Sequence, residues 1–83
     1  MTVNASAHPA IAVVIPAWNE ADSIGHVLDD LPREGVRTIV VADNNSTDRT
    51  AEVARSRGAV VVPAPRQGYG SACLAGLAYL RAL

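Results

Sequence analysis

The sequence predicts an α/β domain built on a parallel β-sheet, in the element order β-α-β-α-β-α. Residues 11–15 (Ile-Ala-Val-Val-Ile), 38–42 (Thr-Ile-Val-Val-Ala) and 59–62 (Ala-Val-Val-Val) are apolar runs without polar alternation, the pattern of strands buried on both faces. Helical periodicity separates them, and turn-forming residues punctuate the joins. Right-handed crossovers between neighbouring parallel strands then give the sheet order 3-2-1, with the first strand at an edge.

The first strand is expected to stop at Pro16. A helix over 20–31 follows, because Ile24, Val27, Leu28 and Leu31 fall at i, i+3, i+4 and i+7. Asn19 is its expected N-cap, Glu20 and Asp22 suit the dipole in its first turn, and Pro32 and Gly35 close it. The second helix runs from 47 or 48 to 57, with Ser46, Thr47 and Asp48 as caps, Arg55 and Arg57 in the last turn and Gly58 as the stop. The third begins at Gly70 and is apolar almost all round, with Arg81 its only charge, so it is expected to have neighbours on most sides.

Residues 1–9 read as a flexible N-terminal tail. Residues 10–83 read as the N-terminal half of a larger domain, since nothing in the sequence covers the third helix or the first strand's outer edge.

Composition narrows the function. The 83 residues carry seven Arg, no Lys and eight acids, a net charge of −1, which disfavours a nucleic-acid or membrane-surface binder. The single Cys73 excludes an internal disulfide and a Cys-built zinc site; its apolar helical setting, like the peripheral places of His8 and His26, gives no ligand set. The longest apolar stretch, residues 10–18, is too short to span a bilayer, and no secretory leader is recognisable, so a cytoplasmic location is expected.

Parallel strands share direction, so the loops after all three must lie on one rim, where such sheets bind ligands. They are Pro16-Ala17-Trp18-Asn19-Glu20, Asp43-Asn44-Asn45-Ser46-Thr47-Asp48 and Arg66-Gln67-Gly68-Tyr69-Gly70. Two of the three aromatics, Trp18 and Tyr69, fall in them. Other motifs fail: Gly68 and Gly70 lack the third glycine of a dinucleotide fingerprint, a P-loop needs a Lys, and the Asp43 loop has neither the Gly nor the Glu of a calcium loop.

In order and position, the motifs 16–20, 43–48 and 68–72 resemble the N-terminal part of family 2 glycosyltransferases of the Rossmann-like GT-A fold. The likeness is to the branch of polyprenyl- and dolichyl-phosphate sugar synthases and glucosyl-phosphoglycerate synthases, and it covers about residues 11–80. It implies that Pro16, Ala17, Trp18, Glu20, Asp43, Asn44, Arg66, Gly68, Tyr69 and Gly70 bind a nucleoside-diphosphate sugar. UDP is favoured over GDP because the Asn44 amide offers both an acceptor and a donor to uracil, unless backbone groups at Pro16 and Ala17 read the base and Asn44 only caps its turn. Glu20 would meet the ribose hydroxyls, and Gly68, Gly70 and Arg66 the diphosphate.

The resemblance further implies inverting transfer by direct displacement to a polyprenyl phosphate, at the cytoplasmic face of a membrane, or to a small phosphorylated acceptor. Mg²⁺ or Mn²⁺ would stabilise the leaving diphosphate. The family's metal motif and base would follow Leu83, so no catalytic or metal residue is assigned here and the chain alone is expected to be inactive. The alternatives are a stand-alone nucleotide-binding module without catalysis, and a nucleotide-sugar-forming transferase, whose Lys-containing glycine loop is not found after the first strand.

Overall fold

The computed structural model describes residues 11–83, so the expected tail lies outside the described residues. Its elements are β1 (Ile11–Ala17), α1 (Ala21–Asp30), β2 (Val36–Asp43), α2 (Thr50–Ser56), β3 (Val60–Pro63) and α3 (Tyr69–Arg81). The strands form a parallel sheet in the order β1-β2-β3, with Val14 opposite Val40 and Val41 opposite Val61. Order, direction and element sequence are those the apolar runs predict.

Alternation along the buried strands divides the sheet between two helical layers. Val13, Ile15, Ile39, Val41 and Val61 face α1 and α2, where Ile24, Leu28, Val53 and Ala54 complete the larger core cluster. Ala42 and Val62 face the other way and pack with Ala64, Ala72 and Ala75 under α3. The first layer interlocks through branched side chains. The second is a close approach of small ones.

Several boundaries shift by one to three residues from the sequence expectation, β3 for instance running over Pro63, and three of the shifts bear on the rim loops. β1 continues through Pro16, which sits opposite Ala42, to the fully buried Ala17. Ala17 directs its carbonyl inward to the Asn44 amide at 2.8 Å, so Pro16, one residue earlier, directs its own backbone groups away from β2. A missing N–H costs nothing on that side. The first turn expected for α2 is instead a loop, and α2 starts at Thr50. α3 starts one residue early, at Tyr69, from Gly68 at φ 113°, a conformation that favours glycine. On α1 the buried face is Ile24, Gly25 and Leu28, while Val27 is exposed. A Cβ at residue 25 would press on Val53 and Arg57 of α2, so the glycine lets the two helices come together.

α3 meets the sheet through Ala72 and Gly76 and leaves Leu74 and Leu77 exposed, so among the described residues only its sheet side is covered. A Cβ at residue 76 would lie 2.5 Å from Val14 Cγ1, whereas one at residue 70 would meet nothing within 4 Å. Gly76→Ala is therefore expected to destabilise the domain: overpacking costs about 1–3 kcal/mol, against a helix-propensity gain of about 1 kcal/mol. Gly70→Ala should be neutral or stabilising. Urea melts of both variants check the contrast.

Candidate functional site

The three loops after β1, β2 and β3 converge on one rim, and a web of side-chain to backbone hydrogen bonds joins them. The first two are tied by reciprocal contacts. Asn19, at φ 49°, accepts the Thr47 N–H at 2.7 Å through its side-chain oxygen, while its own N–H is donated to Ser46 Oγ at 2.9 Å. The Glu20 N–H is donated to Thr50 Oγ1 at 2.8 Å, and the Ala21 N–H to Asp48 Oδ2 at 3.1 Å. The other Asp48 oxygen accepts the Thr50 N–H at 2.9 Å and the Thr50 hydroxyl.

One carboxylate thus serves the start of α2 and the start of α1. The expected N-cap of α1, Asn19, gives way to Glu20, and the cap hydrogen bonds arrive from the neighbouring loop. Of the expected α2 caps, Asp48 alone bonds into that helix, while Ser46 and Thr47 brace the first loop.

The third loop hangs from two asparagines. Asn44 is 3% exposed; its Nδ2 donates to the Ala64 and Arg66 carbonyls, each at 2.7 Å, and its Oδ1 accepts the Gly68 N–H at 3.0 Å. Asn45, at φ 65°, donates from Nδ2 to the Pro65 carbonyl at 2.6 Å. Asp43 Oδ1 accepts the Ser46 N–H at 3.1 Å and so turns its own loop.

The expectation that the Asn44 amide offers uracil a donor meets a competing use of that amide within the protein. Both amide hydrogens are already spent within the protein. Asn44 fixes the third loop.

Among the expected binding residues, the structure brings Trp18, Asn44, Gly68 and Tyr69 together around a cleft of about 240 Å³, with Gln67, which the sequence reading passed over. Trp18 and Tyr69 are 50% and 55% exposed, so these aromatics present surface to the cleft rather than fill the core. Pro16, Ala17, Glu20, Asp43 and Gly70 are not among the residues that line it. Arg66 lines a separate groove of about 290 Å³ with Ala64, Pro65, Ser71, Leu74 and Ala75. Gln67 was legible only from its place between Arg66 and Gly68.

Among the described residues no three His, Cys, Asp or Glu side chains come together as a metal-ligand set. Nor, among them, is any helix long and apolar enough to cross a membrane.

A parallel α/β sheet with an aromatic-edged cleft between the loops at its C-terminal rim has its candidate site where open α/β sheets bind ligands. The family model for glycosyl transferase family 2 matches residues 12–82, and the chain belongs to that family. An uncharacterized glycosyltransferase of Mycobacterium tuberculosis is 54% identical over 68 residues, covering 82% of this chain and 30% of that protein. The 4,4'-diaponeurosporenoate glycosyltransferase of Staphylococcus aureus is 46% identical over 56 residues, 66% of this chain and 15% of the enzyme.

Among solved structures, glucosyl-3-phosphoglycerate synthase from M. tuberculosis with Mn²⁺, UDP-glucose and phosphoglyceric acid superposes with a TM-score of 0.77 at 34% identity, over 86% of this chain and 29% of that one. Mannosyl-3-phosphoglycerate synthase from Rubrobacter xylanophilus gives 0.75 at 30% identity, over 83% and 26%. The chain therefore spans about 30% of the length of the first of these relatives.

The Asp48 carboxyl is held below its ordinary value of 3.8, first by the Thr50 hydroxyl, with the Thr50 and Ala21 amides adding to it and partial desolvation opposing. A depressed folded-state pKa contributes stability above the unfolded value, and that contribution is lost as pH falls through the folded one. Asp48→Asn should accordingly be less stable than wild type at neutral pH. The gap should narrow as pH drops below 3.8, as thermal melts across that range would show.

Proposed function

We propose that residues 10–83 form the N-terminal, donor-binding half of an inverting family 2 glycosyltransferase that takes a UDP-sugar. The observation that carries this is the convergence of Trp18, Gln67, Gly68 and Tyr69 in one rim cleft, in a chain matched to that family over residues 12–82. The base lies against the Trp18 face, where stacking contributes roughly 1–3 kcal/mol. The diphosphate runs toward Gly68 and Gly70 at the start of α3, whose first amide groups and dipole favour an anion. The position above Gly70 is open, so phosphate oxygens can approach the backbone. Arg66, exposed at the loop's outer side, adds positive charge nearby. Glu20, half-buried at the head of α1, and Asp43 stand near the ribose end as acceptor-only groups.

With the Asn44 amide spent on the loop, the preference for UDP over GDP rests on the UDP and UDP-glucose complexes of the M. tuberculosis synthase. Both acceptor classes suggested by the resemblance, a polyprenyl phosphate and a small phosphorylated acid, carry a phosphate. The solved relative holds phosphoglyceric acid in one complex and glycerol 3-phosphate in another, which favours the small acceptor. Its Mn²⁺ supports a divalent-metal requirement for the whole enzyme; no residue described here is assigned to that ion, nor to the base that activates the acceptor.

Calorimetric titration of the intact protein tests the donor reading. UDP should bind more tightly than uridine. Gly70→Val should weaken UDP by about tenfold, equivalent to about 1.4 kcal/mol, while leaving uridine nearly unchanged, because the added branch blocks the phosphate approach and not the base. Trp18→Ala should weaken both ligands. Equal losses for both ligands in Gly70→Val would assign that glycine to folding.

A further inference from the structure

Taking the rim as a nucleotide-donor site, as proposed above, we infer that Asn44 is a positioning residue that sets affinity for the diphosphate by holding the Arg66–Gly70 loop, and that it takes no part in choosing the base. Asn44 sits at the end of β2, where its main-chain N–H is already fixed on Ala17 at 2.8 Å. From that anchored backbone its side chain reaches the third loop at three points: the carbonyls of Ala64 and Arg66 and the N–H of Gly68. Asn45 adds a fourth through the Pro65 carbonyl.

Three successive carbonyls of the loop are thereby turned inward onto asparagine amides. The chain emerges at Gly68, at φ 113°, directly before the first residue of α3. A carbonyl turned inward is one not presented to an incoming phosphate, which it would repel. The N–H groups that follow Gly68 are left for the ligand, because the first amides of a helix have no intrahelical partner.

Only an amide can do this at position 44. It must donate twice to carbonyls and accept once from an N–H, inside a site with 3% exposure. A carboxylate has the same shape but no donor, and would set oxygen against oxygen at the Ala64 and Arg66 contacts. The sequence already carries the logic in part: two adjacent asparagines follow a buried strand, and the second adopts the left-handed conformation that asparagine tolerates well. With residue 45 in that conformation, both neighbouring side chains strap the same loop.

The experiment compares wild type, Asn44→Asp and Asn45→Gly in the intact protein. Uridine, UDP and GDP are titrated, and amide hydrogen exchange is followed at Gly68 and in the sheet at Val40 and Val41. Asn44→Asp is expected to weaken UDP by about tenfold or more while uridine stays within about twofold. The UDP-to-GDP ratio should not move, and Gly68 should lose exchange protection while Val40 and Val41 keep theirs. Asn45→Gly keeps the backbone conformation and deletes only the outer strap, so it should show the same UDP-against-uridine split at about threefold.

A changed UDP-to-GDP ratio would return Asn44 to base reading and overturn the inference, as would equal losses for uridine and UDP with the sheet amides still protected. If Asn44→Asp unfolds, seen as lost protection at Val40 and Val41, Asn45→Gly decides alone, and an unchanged UDP-to-uridine ratio there overturns the inference. Wild-type protein that binds neither uridine nor UDP overturns the donor reading instead, and protection at Gly68 then reports the loop clamp separately.

Discussion

The rim of this domain is governed by the need to satisfy backbone polar groups where parallel strands end. Each strand leaves the sheet into a loop whose N–H and C=O groups have lost their ladder partners, and a buried, unpaired group costs about 1–3 kcal/mol. Water does not reach Asn44, which is 3% exposed, and at the more open contacts of Asn19, Ser46 and Asp48 short polar side chains take the place that water would hold. Asn44 supplies three hydrogen bonds, Asp48 supplies them at two helix starts, and Asn19 and Ser46 exchange them across the first two loops. Without these side chains, backbone bonds such as Asn44 N–H to Ala17 and Ala64 N–H to Asp43 would be left to join the loops. With them, a set of turns becomes one surface with a cleft in it.

This constraint explains which parts of the structure the sequence made legible. Strand positions, sheet order and helix number follow from apolar runs and helical periodicity, which report burial directly. The exact start of α1 does not, because its cap bonds come from residues 27 to 30 positions further along the chain, whereas α2 keeps a local cap in Asp48, which accepts the Thr50 N–H. Local rules place Asn19 and Ser46 as caps of their own helices, whereas each in fact holds the other's loop. Pro16 misled for a similar reason: proline stops a strand only if its N–H is needed, and here that position faces the outer edge of β1.

The candidate site was legible as three loops and not as contacts. Trp18, Gly68 and Tyr69 could be placed on the rim because an exposed aromatic or a loop glycine is visible in the sequence. Asn44 was visible too, but its direction was not. An amide suited to pairing with a nucleobase edge is equally suited to pairing with the edge of a peptide loop, and only coordinates separate the two. Gln67 was hidden for the opposite reason, being an unremarkable residue whose importance comes entirely from its neighbours in the cleft.

The two faces of the sheet also divide their tasks. Branched side chains under α1 and α2 make the firmer core, while the alanine and glycine seam under α3 brings that helix close and places its N-terminus beside the cleft. The chain belongs to glycosyl transferase family 2, and the central proposal is that the rim cleft receives a nucleoside diphosphate. The most direct test is backbone amide chemical-shift mapping of the protein during a UDP titration. The account predicts saturable shifts centred on Trp18, Gln67, Gly68, Tyr69 and Gly70, with α2 unaffected. Shifts centred instead on the groove of Ser71, Leu74 and Ala75, or none at millimolar UDP, would contradict it.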